Sequence, residues 1–227
     1  MRARHFVAFH QTLFSHRSHA KQKPYSDYRN RGFRWRPMTS GLYESRELAT
    51  DQMRVVTKMT REFEFITSAA FIGAGATLLL DLWGACRRRF FSIRPLDLEL
   101  LGRWFGYMLR GRFIHDDITR AEPVKGEAVI GWVAHYGIGC AFAALLLAIC
   151  GLDWTSRPTP LPALLVGLGT VAAPFFFMQP GFGAGIAGSR TPNPGLVRVR
   201  SVLTHVVYGV GLYASALVWA ALSNWAI

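Results

Sequence analysis

Four stretches of this chain are almost free of charge. Residues 128–152, 158–189 and 201–227 contain no Asp, Glu, Lys or Arg, and residues 65–86 contain only Asp81. About 20 apolar residues are enough for a helix to cross a bilayer. A soluble helix instead needs a polar face along one side. The pattern therefore predicts an all-α membrane protein with four transmembrane helices, at about 65–86, 128–150, 161–179 and 202–224. Pro158, Pro160 and Pro162 sit before the third span, where proline is tolerated. Pro174 lies inside it, removes a bond to the Thr170 carbonyl and predicts a kink.

Charge then orients the spans. The chain has 26 Lys+Arg against 14 Asp+Glu, a net charge of +12, which taken alone suggests nucleic acid or an anionic membrane surface. The distribution argues against a soluble nucleic-acid binder. Residues 1–62 hold 13 Lys/Arg and 5 acids, and residues 63–227 hold the other 13 with 9 acids. The loop 87–127 carries nine Lys/Arg and the loop 180–201 carries Arg190, Arg198 and Arg200, whereas 151–160 carries only Arg157. By the positive-inside rule the loops 87–127 and 180–201 are cytoplasmic and both ends lie outside. The basic stretch 1–62 conflicts with that placement. A later start, at Met53 or Met59, resolves the conflict, and an inverted topology is the other solution. Residues 1–60 are thus expected to be a disordered tail or a mis-assigned start, and 61–227 the membrane domain. The three cysteines, Cys86, Cys140 and Cys150, lie in or beside apolar runs and lack metal-ligand spacing.

The second and fourth spans resemble each other. His135-x-x-x-Gly139 matches His205-x-x-x-Gly209, Ala144 matches Ala214 and Leu147 matches Leu217. The first and third spans both carry Gly-x-Gly near their starts, at Gly73/Gly75 and Gly167/Gly169. Two related helical hairpins in a 2+2 parallel repeat would produce this pattern. Chance similarity between Gly/Ala-rich membrane helices is the alternative.

Ionisable residues are rare inside a membrane and face the bundle when they occur. Residues four apart share a helix face. Gly73, Thr77, Asp81 and Ala85 form one such stripe, Gly131, His135, Gly139 and Ala143 a second, and Ser201, His205 and Gly209 a third. Small residues let helices approach closely in lipid. Each ionisable group therefore sits on a contact face, and Asp81, His135, His205 and Gln179 are expected to converge near the basic loops. An Asp with two His is suited to a proton, ion or small-solute pathway. It is also suited to plain structural bonding. A metal site is a weaker reading, because the ligands are few and none lie on adjacent turns of one helix.

The first basic loop supplies a second candidate set. His115, Asp116 and Asp117 are flanked by Arg103, Arg110 and Arg112 in GRWFGYMLRGRFIHDDI. A basic-aromatic segment beside a membrane suits anionic headgroups, or an enzyme acting on a lipid-like substrate; a solvated loop with Arg–Asp pairs is the plain alternative. Walker, H-E-x-x-H, G-x-S-x-G and C-x-x-C motifs are absent, and Gly-x-Gly-x-Gly at 181–185 follows no strand. No cofactor or metal is implied.

GATLLLDLW (75–83), GRWFGYMLRGRFIHDDI (102–118), GWVAHYGIGCAFA (131–143), PFFFMQPGFGAGIAGSRTPNP (174–194) and SVLTHVVYGVGLY (201–213) together resemble domain-of-unknown-function family 2938. The resemblance covers about 65–225. It implies a bacterial inner-membrane protein, and the family has no established activity to carry over. The leading expectation is a small transport-related or accessory membrane protein, in contact with membrane lipids and not nucleic acid, with self-association left open. The rivals are a membrane-embedded enzyme and a scaffold binding a partner through its basic loops.

Overall fold

A computed structural model describes residues 39–93 and 96–225, with side chains from Leu48 onward. Expectations for residues 1–38 lie outside the described residues. The chain divides into two units, Met1–Gln52 and Met53–Ile227; the first contributes the helical residues 39–52, and all the packing below belongs to the second.

Helix α1 runs from Thr39 to Phe91. Residues 39–60 are helical. The physical reason is composition: no Gly or Pro stands between Gly41 and Gly73. A helix already nucleated in the apolar span can then propagate through exposed polar turns. From Met53 to Phe91 it rises about 57 Å, nearly twice the hydrocarbon thickness of a bilayer.

The loop between the first two spans is partly helical. Helix α2 (Leu98–Met108) starts at Asp97, whose carboxylate accepts from the Glu99 N–H at 2.9 Å. Its inner face holds Leu101, Gly102, Arg103, Trp104 and Gly106, all buried. Helix α3 spans Glu127–Cys150. Helices α2 and α3 meet backbone to backbone: a Cβ on Gly102 would lie 2.6 Å from the Gly131 nitrogen, and one on Gly131 would lie 2.7 Å from the Leu98 carbonyl carbon. Beside this crossing Arg103 holds Glu127 in a two-pronged ion pair, Nε at 2.8 Å and Nη2 at 2.7 Å. Arg103 Nη1 donates to the Ala121 carbonyl at 3.0 Å. The hydrogen bond to Glu127 raises the Arg103 pKa further above its usual value.

The third span is broken where proline dictates. Helix α4 covers Pro160–Gly169, a π-helical turn covers Pro174–Met178, and α5 is the single turn Gln179–Gly181. With no N–H on Pro174, the Thr170 carbonyl accepts from Ala173 at 3.0 Å. Helix α6 (Pro194–Trp225) begins well before residue 202. Residues 194–201 of the expected loop are therefore helical, with Pro194 at the first position where proline fits.

Among the described residues, four helical segments are long and apolar enough to cross a membrane: Leu48–Phe91, Glu127–Cys150, Pro160–Gly181 and Pro194–Trp225. Small residues form their crossings. A Cβ on Gly73 would lie 2.8 Å from the Gly139 carbonyl oxygen, and one on Gly167 would lie 2.7 Å from the Gly209 nitrogen. The core between the helices is Ile72, Ala76, Ala143, Leu146, Leu147, Ala163, Leu212 and Ala216. Leu78, Leu82, Val133, Ile149, Leu165 and Val218 stay exposed on the outer faces of these apolar helices. Tyr208 ties α6 to α3, its buried hydroxyl donating to the Gly139 carbonyl at 2.7 Å. Tyr208→Phe keeps the ring and removes that bond, so a loss of about 1 kcal/mol is expected in chemical unfolding in mixed micelles. An unchanged midpoint would show the bond to be dispensable.

Candidate functional site

Asp81, His135, His205 and Gln179 do not form one mutual hydrogen-bonded cluster. Asp81 on α1 and His135 on α3 face each other across the Gly73–Gly139 crossing, with His135 Nε2 2.9 Å from Asp81 Oδ1. Tyr136, the next residue, donates its hydroxyl to Asp81 Oδ2 at 3.1 Å. An ionised carboxylate only accepts, so His135 carries its proton on Nε2 in this arrangement. The pair is partly buried, with 15% of the His135 side chain and 28% of the Asp81 side chain exposed.

His205 bonds elsewhere. Its Nδ1 lies 2.8 Å from Thr170 Oγ1. The Thr170 hydroxyl gives its one hydrogen to the Gly167 carbonyl at 2.6 Å. His205 Nδ1–H is therefore the donor to Thr170, which places the proton of a neutral ring on Nδ1. The Gly167–Gly209 crossing directs His205 toward α4, one turn from Gly209. Gln179 is buried, donates to Ser201 Oγ at 3.1 Å, and leaves Oε1 unpartnered among the described residues.

A cavity of about 740 Å³ joins these groups. Asp81, His135 and His205 all line it, as do Thr77, Ser201 and Thr204. Gln179 reaches it only through Ser201. Leu80, Leu101, Trp104, Trp132, Ile138, Phe142 and Phe177 make most of the wall apolar. Arg87 and Arg88 from the end of α1 and Arg200 from the start of α6 also line it. Its size lies within the range of about 300–1,000 Å³ usual for small-molecule sites. Tyr136, Thr170 and the three arginines were not expected from sequence. The convergence of Arg87 with Arg200 had one weak signal: Arg200–Ser201 stands one turn before His205, as Arg87 follows Asp81.

The loop candidates do not assemble around His115. His115 is 2% exposed. Its Nδ1 lies 3.3 Å from the Gly181 carbonyl, its ring packs edge-on against Tyr107 at 5.0 Å, and its Nε2 is buried without a partner among the described residues. Backbone N–H groups of His115 and Ile118 bond to the carbonyls of Gly181 and Phe182 at 3.0 and 3.1 Å, which lays this segment onto the end of the third span. Asp117 instead caps the next turn, accepting from the Thr119 N–H at 2.9 Å and pairing with exposed Arg120 at 3.3 Å. The Thr119 hydroxyl bond holds its carboxyl below the usual range. Asp116 is exposed. Arg103 is consumed by Glu127, and Arg110 and Arg112 lie over the Tyr107 ring at 5.8 and 5.6 Å. Among the described residues, no group of three His, Cys, Asp or Glu is arranged to hold a metal.

The fold and the cavity define a helical protein with four helices able to cross a membrane and a polar pair in the wall between them. The family model described as "Protein of unknown function (DUF2938)" matches residues 70–219. The chain belongs to this family, and the match contains Asp81, His135, His205 and both segments of the backbone contact between 115–118 and 181–182. No curated protein and no solved structure matches it.

Proposed function

We propose that this is a small multi-pass protein of the bacterial inner membrane that binds a solute in the cavity and links its occupancy to a proton on the Asp81–His135 pair. The observation that carries the reading is the position of that pair, hydrogen-bonded at 2.9 Å within the wall of a cavity of about 740 Å³. Ionisable groups in a membrane are costly and are retained where they serve a path, and imidazole is the side chain that changes charge most readily near neutral pH. The groups facing the pair are the Tyr136 hydroxyl and, across the shared cavity, His205, Arg87, Arg88 and Arg200. The arginine-rich segments 87–127 and 180–201 then face the cytoplasm.

The two halves read as related hairpins. In each, a glycine of the first helix (Gly73 or Gly167) packs on the glycine one turn beyond the histidine of the second (Gly139 or Gly209). Exposed Leu109, Phe113 and Ile114 beside exposed Arg110 and Arg112 support headgroup contact at the first basic segment. Of the residues in the loop-enzyme reading, His115 is buried while Asp116 is exposed.

Proton flux into proteoliposomes of mixed phosphatidylglycerol and phosphatidylcholine, with a trapped pH-sensitive dye and an imposed potassium-diffusion potential, tests the proposal. The parent is expected to exceed empty vesicles, and Asp81→Asn to fall at least tenfold toward them. Equal flux in the parent and Asp81→Asn, at equal protein insertion, would remove the pair from any proton path.

A further inference from the structure

The cavity carries charge that the described protein does not answer. Arg87, Arg88 and Arg200 line it, and Asp81 is the one acidic residue of the lining. Both Asp81 oxygens are already engaged, by His135 and Tyr136. Among the described residues no carboxylate pairs with any of the three arginines. Arg87 Nε is buried with no hydrogen-bond partner among the described residues, its guanidinium lying over the Trp83 ring at 5.9 Å. The contrast with Arg103 is direct: its guanidinium is met by both oxygens of Glu127. Guanidinium groups gathered without a counter-ion are matched by an anion with several acceptor oxygens, which they bind through paired, charge-assisted hydrogen bonds.

The rest of the wall limits what that anion can be. Trp104, Trp132, Ile138, Phe142 and Phe177 line an open apolar part of the cavity. A free inorganic anion would meet the arginines and leave this apolar space unfilled. A neutral apolar molecule would fill it and leave the arginines unmet. We infer that the cavity binds an anionic amphiphile, its phosphate or other oxyanion head on Arg87, Arg88 and Arg200 and its hydrocarbon chain among the aromatic and aliphatic side chains. The inference rests on the cavity being the working site, as proposed above, and does not depend on the proton step.

Tryptophan emission reads the occupancy, because Trp104 and Trp132 line the cavity. The probes are phosphatidic acid with brominated chains, phosphatidylcholine with the same chains, and inorganic phosphate, each added to the purified full chain in detergent. Brominated phosphatidic acid is expected to quench saturably, and the phosphatidylcholine to need at least fivefold more. Millimolar phosphate should shift the half-point less than twofold. Arg88 and Arg200 are exposed, so Arg88→Gln and Arg200→Gln leave the packing intact, and each should weaken phosphatidic acid binding about tenfold. Trp132→Phe should remove part of the quenched signal, which locates the chain. Equal saturation by both lipids would overturn the inference, because the head would not be recognised. Full competition by phosphate would overturn it in favour of a soluble-anion site. Unchanged binding in the Arg88→Gln/Arg200→Gln double variant would also overturn it. Loss of saturable quenching with the Asp81→Asn flux difference intact removes the amphiphile and leaves the proposed function; the reverse pattern removes the proton step and leaves the amphiphile.

Discussion

Gly131→Val is expected to be among the most damaging single substitutions in the protein. Gly131 lies where α3 crosses α2, and a side chain there would press on the backbone of Leu98 and Gly102. A flexible side chain could yield, but a helix backbone cannot move without separating the two helices. Overpacking a core commonly costs about 1–3 kcal/mol, and a collision with backbone belongs at or above the upper end. Separation would also pull away Leu98, Leu101 and Trp104, which line the cavity. Chemical unfolding in mixed micelles should show a loss of about 3 kcal/mol or failure to accumulate in the membrane, with Gly131→Ala intermediate. A Gly131→Val protein as stable as the parent would mean that α2 does not dock on α3.

Arg103→Ala should be comparably severe. The Arg103 and Glu127 side chains are only 11% and 12% exposed. Removing one member leaves a charge with little access to water, which typically costs about 3–5 kcal/mol. Glu127 also accepts from the Val124 N–H at 2.8 Å, so the pair holds the turn that leads into α3. The double variant Arg103→Met/Glu127→Leu leaves no unpaired charge and should recover most of the loss, since apolar replacement of a buried pair is often near neutral. The double-mutant cycle in unfolding free energy measures this coupling. Additive losses would show that the two side chains act independently.

Much of this architecture was legible in the chain. Charge-free runs longer than a bilayer locate the spans because lipid tolerates little else. Proline at 174 locates the break in the third span, since the missing N–H is a local property. The stripes of residues four apart put Asp81 and His135 on contact faces, where the structure has them bonded. His205 lines the same cavity as Asp81 and His135, but its ring bonds to Thr170 and not to either of them. Which helix a face meets depends on how glycines nest at a crossing, and Gly167 against Gly209 turns His205 toward Thr170. The loop set failed for a related reason. His115, Asp116 and Asp117 are adjacent in sequence, yet backbone pairing with Gly181 and Phe182 buries the first and leaves the others outside. Residues 39–60 are helical despite their charge, because charge alone does not stop a helix that is already nucleated.

Composition and spacing along the chain suffice for a helical protein with four segments able to cross a membrane, for the basic character of its N-terminal stretch, and for which few polar groups must find partners. Those are local or additive properties: transfer free energy summed over a run, a missing N–H, a count of charges. Helix packing sets the rest: Asp81 takes His135 and Tyr136, His205 takes Thr170, and Arg87, Arg88 and Arg200 line one cavity. Those outcomes depend on helix rotation and close backbone approach, set by residues distant in the chain that must all be satisfied at once.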